Sequence, residues 1–401
     1  MGAQRYHNLD WLRVLGILVV FLYHAARIYD PLFWYTTFEV RNNQTSPLFS
    51  VFCFGVTFWL MPVFFLLAGA STSFSLSRRT SSQFIVERMK RLLAPFAFFL
   101  VILIPPQLYM ESVSAGTYHG SFLDFLPTIF TPVGLDLSTP HVFTFPQKHL
   151  WFLWYLFLMS VVTLPLLRLL GRKQGQAFIQ WLAAMAEHSK TIFVCIIPLA
   201  LIRIVLTPAF PQYQNYADFC YWSLLYLYGF ILYSDKRFEA ALVKERWNAC
   251  LLGLCCYAGF LIVGWEGNFV ALFEHPSHGP GSLLFEFFWC VNAWAWLVFF
   301  LGAAKVNLNF SNAFLNYSNE AVLPFYILHK TILLIIGFSM AAMPLHLAAK
   351  FVILLITAFI ATMILYEFVV KRVPVLRFLV GLAAAKKHDP TALRGSQIKG
   401  H

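Results

Sequence analysis

Long apolar runs, each close to the length of one membrane crossing, alternate with short polar segments along this chain. A helix needs about 20 apolar residues to cross the hydrocarbon core. Ten runs approach that length: residues 9–29, 48–74, 92–111, 149–168, 191–207, 218–234, 248–265, 283–304, 319–342 and 350–370. The runs are continuous and lack the period-two alternation of a transmembrane β-barrel. The expected class is therefore all-α: a polytopic integral membrane helix bundle of about ten transmembrane helices. The head from Met1 to Asn8 carries one basic residue, Arg5, and no small-residue cleavage site follows. The first run reads as a retained helix, not a signal peptide.

Composition narrows the class further. Of 401 residues, 59% are hydrophobic and 12% charged, against about 25% charged in a soluble domain, and the mean hydropathy is +0.68. This leaves too little polar surface for a water-facing globule and too much apolar sequence for disorder. The seven cysteines lie in or at the ends of apolar runs without a CxxC spacing, which suits packing better than disulfides or metal. No HExxH, GxSxG, Walker or Rossmann motif occurs, so no metal site and no permanently bound cofactor are expected.

A net charge of +11 could point to nucleic acid, yet no basic cluster interleaves with aromatics on a soluble segment. Its distribution fits the positive-inside rule instead. With the amino terminus cytoplasmic, 22 of the 29 Lys and Arg lie in inner segments, four in outer ones and three within spans. Both termini are expected inside. The outer loops 30–47, 112–147 and 266–282 are rich in Pro, Gly, Ser, Thr, Asn and His, and the longest could fold over a site mouth. The inner segments 75–91, 169–190 and 235–247 are basic and expected to be partly helical. Residues 1–380 read as one membrane domain and 381–401 as a polar, disordered cytoplasmic tail.

Ionisable residues inside a membrane are costly and mark function by default. The first span holds Asp10, Arg13 and His24. Asp10 and Arg13, three apart, can pair. Arg13 and His24 are eleven residues apart, which leaves an angular offset of only about 20° and an axial separation of about 16 Å. One helix face thus presents a cation near the cytoplasm and a base deeper in the bilayer. Taken singly, Arg13 could snorkel to lipid phosphate and His24 could be a satisfied core histidine. His329 is a second mid-membrane imidazole, and the adjacent Lys330 points about 100° away. Arg88 and Arg91, at i,i+3, would share one side of a helix as a phosphate clamp, or simply orient the chain. Trp151 and His149 begin the fourth span, where a Trp is commonly an interface anchor. Arg203, in the fifth span, has no evident partner.

These residues resemble the family-three membrane acyltransferases. Leu9-Asp10-Trp11-Leu12-Arg13, then ten residues and His24, is similar to that family's first-helix pattern. Phe64-Phe65-Leu66-Leu67-Ala68-Gly69 resembles its second-helix signature, with Ala68 where Ser is common. Arg88 and Arg91 match its Arg-x-x-Arg, Leu150-Trp151-Phe152-Leu153 its fourth-helix start, and Tyr317 to His329 its late Tyr-x-Leu-His element. The likeness covers about residues 6–380. Asn319-Glu320-Ala321 and the run ending in His329 look most like the glucan succinyltransferase branch.

The resemblance implies transfer of an acyl group, acetyl or succinyl, from cytoplasmic acyl-CoA, the co-substrate, to a hydroxyl of an extracytoplasmic glycan or lipid-linked carbohydrate. It implies His24 as base and Arg13, Arg88 and Arg91 on the donor. His329 is a second catalytic candidate, for orientation or stabilisation, and Asp10, Trp151 and Glu320 are candidates for structural or orienting roles. The expected setting is a bacterial cytoplasmic membrane, with membrane lipids as neighbours, no nucleic-acid partner and a homo-oligomer left open. Direct attack and an acyl-His24 intermediate are both compatible with the residues. The alternatives are a secondary transporter or lipid or glycan flippase, against which stands the absence of an inverted repeat, and a structural scaffold, which leaves Arg13 and His24 without purpose.

Overall fold

The computed structural model describes residues 6–32, 40, 42–130, 134–143, 145–188, 190–264, 272 and 275–382. The tail expected to be disordered lies outside the described residues from 383 onward, as does Arg5. Ten helical segments occupy the ten expected positions. Among the described residues, seven are long and apolar enough to cross a membrane, or eight if the Lys148–Leu170 pair, bent by 52°, is one span. The protein is an all-α, multi-pass helix bundle.

The chain opens with α1 (His7–Arg27), α2 (Pro47–Thr57) and α3 (Leu60–Leu76). The second expected span is thus two helices broken at Phe58 and Trp59. Ser46 caps α2, with Pro47 at its first position, where a missing N–H costs nothing. Next come α4 (Ser81–Arg88), entered through a Thr80–Gln83 capping box, a π-turn at Met89–Leu93, and α5 (Ala94–Ser114). Pro95 supplies no N–H to the preceding turn, which accounts for the interruption there. In the segment beyond, α6 (Phe122–Phe130) precedes a two-residue antiparallel ladder, Leu135–Asp136 with Val142–Phe143. The long outer loop is therefore partly structured.

The fourth expected span is α7 (Trp151–Val162) and α8 (Leu164–Leu170). The bend falls at Thr163, whose hydroxyl donates back to the Met159 carbonyl at 2.6 Å, and just before Pro165, both recognised causes of kinks. The basic inner segment forms α9 (Lys173–Ala186). Then follow α10 (Ile196–Leu206), α11 (Tyr216–Leu232), α12 (Lys236–Gly264), α13 (Pro280–Asn307), α14 (Ala313–Met340) and α15 (Leu347–Ile364).

Lipid tails provide no hydrophobic drive between helices, so association rests on close packing. α3 and α11 cross where Gly69 faces Gly229. A Cβ at Gly69 would lie 1.8 Å from the Tyr226 carbonyl oxygen, and one at Gly229 would lie 1.9 Å from that of Leu66. Each backbone occupies the place of the other's side chain. α12 and α13 meet likewise at Gly302, against the Leu242 carbonyl. Trp151, expected as an interface anchor, is instead buried, stacked on Trp222 at 4.9 Å and near Phe65 at 6.1 Å. The outer cations among the described residues also have partners. Arg27 pairs with Asp30 at 2.6 Å, Lys148 with Glu111 at 2.5 Å, and buried Lys350 donates to the Asn42 and Asn43 side chains.

Two outcomes test this arrangement. Gly69→Val or Gly229→Val must push the backbones apart and should destabilise the protein by at least about 1–3 kcal/mol. Gly259→Ala, with nothing within 4 Å, should be neutral or slightly stabilising, as read by thermal unfolding in detergent. In a cysteine-free background, Ser121→Cys should react with an impermeant thiol reagent from outside intact cells, and Gln174→Cys should not. The reverse pattern would invert the assigned orientation.

Candidate active site

α1 turns the Arg13 stripe into the bundle. Arg13, Ile17 and Val20, with Phe64 and Ala68 of α3 and Phe152 of α7, line a narrow slot of about 170 Å³ that reaches Tyr326 of α14. Arg13 is the one charged residue in this lining. Its guanidinium is held by Asp10 Oδ1 at 2.9 Å and by the Ser71 hydroxyl. Asp10 thus pairs with Arg13 at i,i+3, while Ser71, on the turn after the Phe-Phe-Leu-Leu-Ala-Gly run, was not anticipated.

Three imidazoles meet beyond the far end of the stripe. The ring of His329 lies 5.4 Å from that of His24 and 5.6 Å from that of His149, centroid to centroid. His24 and His329 were each named as catalytic candidates; His149 was not. It begins the fourth span, and nothing in its local sequence indicates that α14 lies alongside. The fold fixes it there through two bonds: its Nε2–H donates to the Ile327 carbonyl at 2.9 Å, and the Tyr326 hydroxyl donates to the His149 carbonyl.

Carbonyl partners accept only from N–H and so assign the tautomers. His329 Nδ1–H donates to Tyr326 at 2.7 Å and more weakly to Phe325 at 3.2 Å, leaving Nε2 as a lone pair. His149 uses Nε2–H, leaving Nδ1. Those two lone pairs and Nδ1 of His24 are buried without a hydrogen-bond partner in the protein. Buried polar atoms are normally satisfied, so three unsatisfied imidazole nitrogens in one cluster mark a place where a reacting group can be met. Lys330, 4% exposed, brings an ammonium within electrostatic reach of His24 and His149, although on α14 it sits about 100° from His329.

The remaining expected residues divide. Arg88 turns inward and donates to Thr72 Oγ1 at 2.8 Å; that hydroxyl also meets the Tyr226 hydroxyl at 2.7 Å. Arg91 turns outward to Glu87 at 3.2 Å, with its side chain 63% exposed. The π-turn beginning at Met89 widens the helix between them, so the two guanidinia are not a matched pair on one face. Glu320 accepts from the Tyr366 hydroxyl at 3.1 Å near the basic end, remote from the histidines in sequence position along α14. Arg168 and Arg172 edge a wider cleft of about 740 Å³ at that end, between α3, α8, α9 and α11. Arg168 is committed to the Ser81 hydroxyl and the Leu76 and Arg79 carbonyls. Among the described residues, no group of three or more His, Cys, Asp or Glu could hold a metal ion.

No curated protein and no solved structure matches the chain. A family model described as an acyltransferase domain matches residues 6–367, a range that contains the slot, all three histidines and Arg13, Arg88, Arg91, Arg168 and Arg172. The chain thus belongs to the acyltransferase 3 family and is a membrane acyltransferase.

Proposed function

We propose that the protein moves a short acyl group, acetyl or succinyl, from acyl-CoA at the basic, cytoplasmic end of the bundle to a hydroxyl of a glycan or lipid-linked glycan presented from the other side. The observation that carries this reading is the narrow apolar slot with Arg13 at one end and the Tyr326–histidine cluster toward the other. An acyl-CoA has a polyanionic nucleotide, a long thin arm and a thioester at its tip. Phosphates suit the basic end, where Arg13, Arg88, Arg91 and Arg172 stand, and the cleft beside Arg168 has room for a nucleotide. The arm suits the slot, which runs along α1 from Arg13 past Val20, about 10 Å along the helix axis, and borders Tyr326. Only the acyl group then crosses, and no charged donor is transported.

In this mechanism an imidazole nitrogen of His24 takes the proton of the acceptor hydroxyl as its oxygen attacks the thioester carbon. The C–O bond forms, the C–S bond breaks, and the imidazolium returns the proton to the departing thiolate. His329 and His149, whose tautomers are fixed by backbone carbonyls, present lone pairs that can hold the proton between these events. The Lys330 ammonium favours the oxyanion of the tetrahedral intermediate. A bacterial cytoplasmic membrane suits such an enzyme.

His24→Ala should lower acyl transfer by about 10²- to 10⁴-fold in a protein that still inserts and elutes as a folded species; wild-type-like transfer would sink the mechanism. His149→Ala should lower kcat with little change in KM for acyl-CoA, since His149 lies beyond the slot. Arg91→Ala should raise KM for acyl-CoA with unchanged thermal stability, because an exposed pair contributes only about 0–1 kcal/mol. Arg88→Ala should raise KM and also lower the melting temperature, because it removes the Arg88–Thr72 hydrogen bond and the packing of a largely buried side chain. Steady-state kinetics in nanodiscs separate these outcomes.

A further inference from the structure

Arg203, left without an evident partner in the sequence, sits in a buried ion cluster at the end of the bundle opposite the basic one. Its Nη1 donates to Asp218 Oδ1 at 2.8 Å, its Nε to Glu286 Oε2, and its Nη2 to Glu286 Oε1 at 3.3 Å. Asp218 Oδ2 also accepts the Gln214 N–H at 2.9 Å. All three charged residues are at least nine-tenths buried. One guanidinium faces two carboxylates, so the cluster carries an excess of acceptor capacity. The guanidinium also lies over the rings of Trp289 and Tyr221, 5.3 and 5.4 Å from their centroids.

This cluster forms one wall of a pocket of about 40 Å³. Two further lining hydroxyls, those of Tyr221 (1% exposed) and Thr207 (6% exposed), are buried and have no hydrogen-bond partner in the protein. A purely structural ion cluster would be expected to satisfy the hydroxyls beside it, because an unpaired buried hydroxyl is costly. The lining therefore offers what a hydroxylated ligand requires: carboxylate lone pairs to accept its O–H groups, free hydroxyls to pair with its oxygens, and aromatic faces for its C–H surface.

The pocket also lies next to the histidine centre. Met61 lines both it and the apolar slot. Tyr326, which lines the slot, has its ring 6.0 Å from that of His329. The pocket and the slot thus adjoin at Met61, and the slot borders the histidine cluster through Tyr326. At about 40 Å³ the pocket is small beside the roughly 300–1,000 Å³ of a full ligand cleft, so it takes one edge of a ring and not a whole sugar.

We propose that this pocket, walled by Arg203, Asp218 and Glu286, is the acceptor subsite and takes a hydroxyl-bearing edge of a polyol, such as a hydroxymethyl group or vicinal diol of a sugar ring. The inference rests on the acyl-transfer reading above and adds to it the place and chemistry of acceptor recognition. Asp218 and Glu286 accept from the ligand's hydroxyls, Tyr221 and Thr207 hydrogen-bond its oxygens, and a neighbouring hydroxyl is left facing His24.

The test removes single oxygen atoms. Tyr221→Phe, Thr207→Val and the double variant are returned to cells lacking the gene at low expression, and acyl groups on surface glycans are counted by mass spectrometry. The same purified proteins in nanodiscs are assayed for radiolabelled CoA binding and for melting temperature. The expected result is a loss of acyl mark of about 2- to 10-fold for each single variant and more for the double, as a lost hydrogen bond predicts, with CoA affinity and melting temperature unchanged. Glu286→Gln, which keeps the shape and removes a charge, should lower the mark further. A full acyl mark in the double variant would overturn the proposal. So would a parallel fall in melting temperature and CoA affinity, which would make the cluster a structural brace. Wild-type cells with no acyl mark beyond that of the deletion would instead overturn the acyl-transfer reading itself, an outcome seen before any variant is compared.

Discussion

The crossing of α3 over α11 sets the position of nearly everything chemical in this bundle. Gly69 and Gly229 let two backbones approach until each carbonyl fills the space a side chain would need. At that distance Thr72 meets Tyr226 and, through it, receives Arg88. Phe65, Trp151 and Trp222 stack into one aromatic wall. α3 then lines both the apolar slot and the polar pocket, and α11 contributes Asp218 and Tyr221 to the pocket. A wider crossing would separate the α3 and α11 sides of the pocket.

Polar groups inside hydrocarbon must find partners within the protein, and this constraint sorts the buried residues into two groups. Arg13, Arg27, Lys148, Arg203 and Lys350 are each held by carboxylates, amide side chains or carbonyls. Three imidazole nitrogens and the hydroxyls of Tyr221 and Thr207 are not. These atoms occur at two places, the meeting of α1, α7 and α14 and the pocket beside α10, α11 and α13. Reaction and recognition need unsatisfied groups, and both places supply them; unpartnered buried polar atoms also occur elsewhere among the described residues, at Tyr29 and Asn292.

Much of this was legible in the sequence. Run length and composition gave an all-α membrane bundle, and the helical segments fall at the ten expected positions. The eleven-residue spacing of Arg13 and His24 placed both on one inward stripe, because helix geometry is local and fixed. Local rules also have limits inside a span. The break at Phe58 and Trp59, the bend at Thr163 and the π-turn after Arg88 interrupt runs whose hydropathy is uniform. The last of these turned an expected Arg88–Arg91 clamp into one inward and one outward arginine.

What the sequence by itself determined was therefore everything that depends on neighbours along the chain: the spans, the charge asymmetry between the two ends, and the face shared by Arg13, Ile17, Val20 and His24. Only the tertiary structure decided which faces meet. It brought His149 to His329 across nearly half the chain, buried Trp151 instead of leaving it at an interface, and gave Arg203 its two carboxylates from α11 and α13. The physical reason is that these contacts join residues 15 to 180 positions apart, and a uniformly apolar run carries no local signal of which neighbour it will pack against.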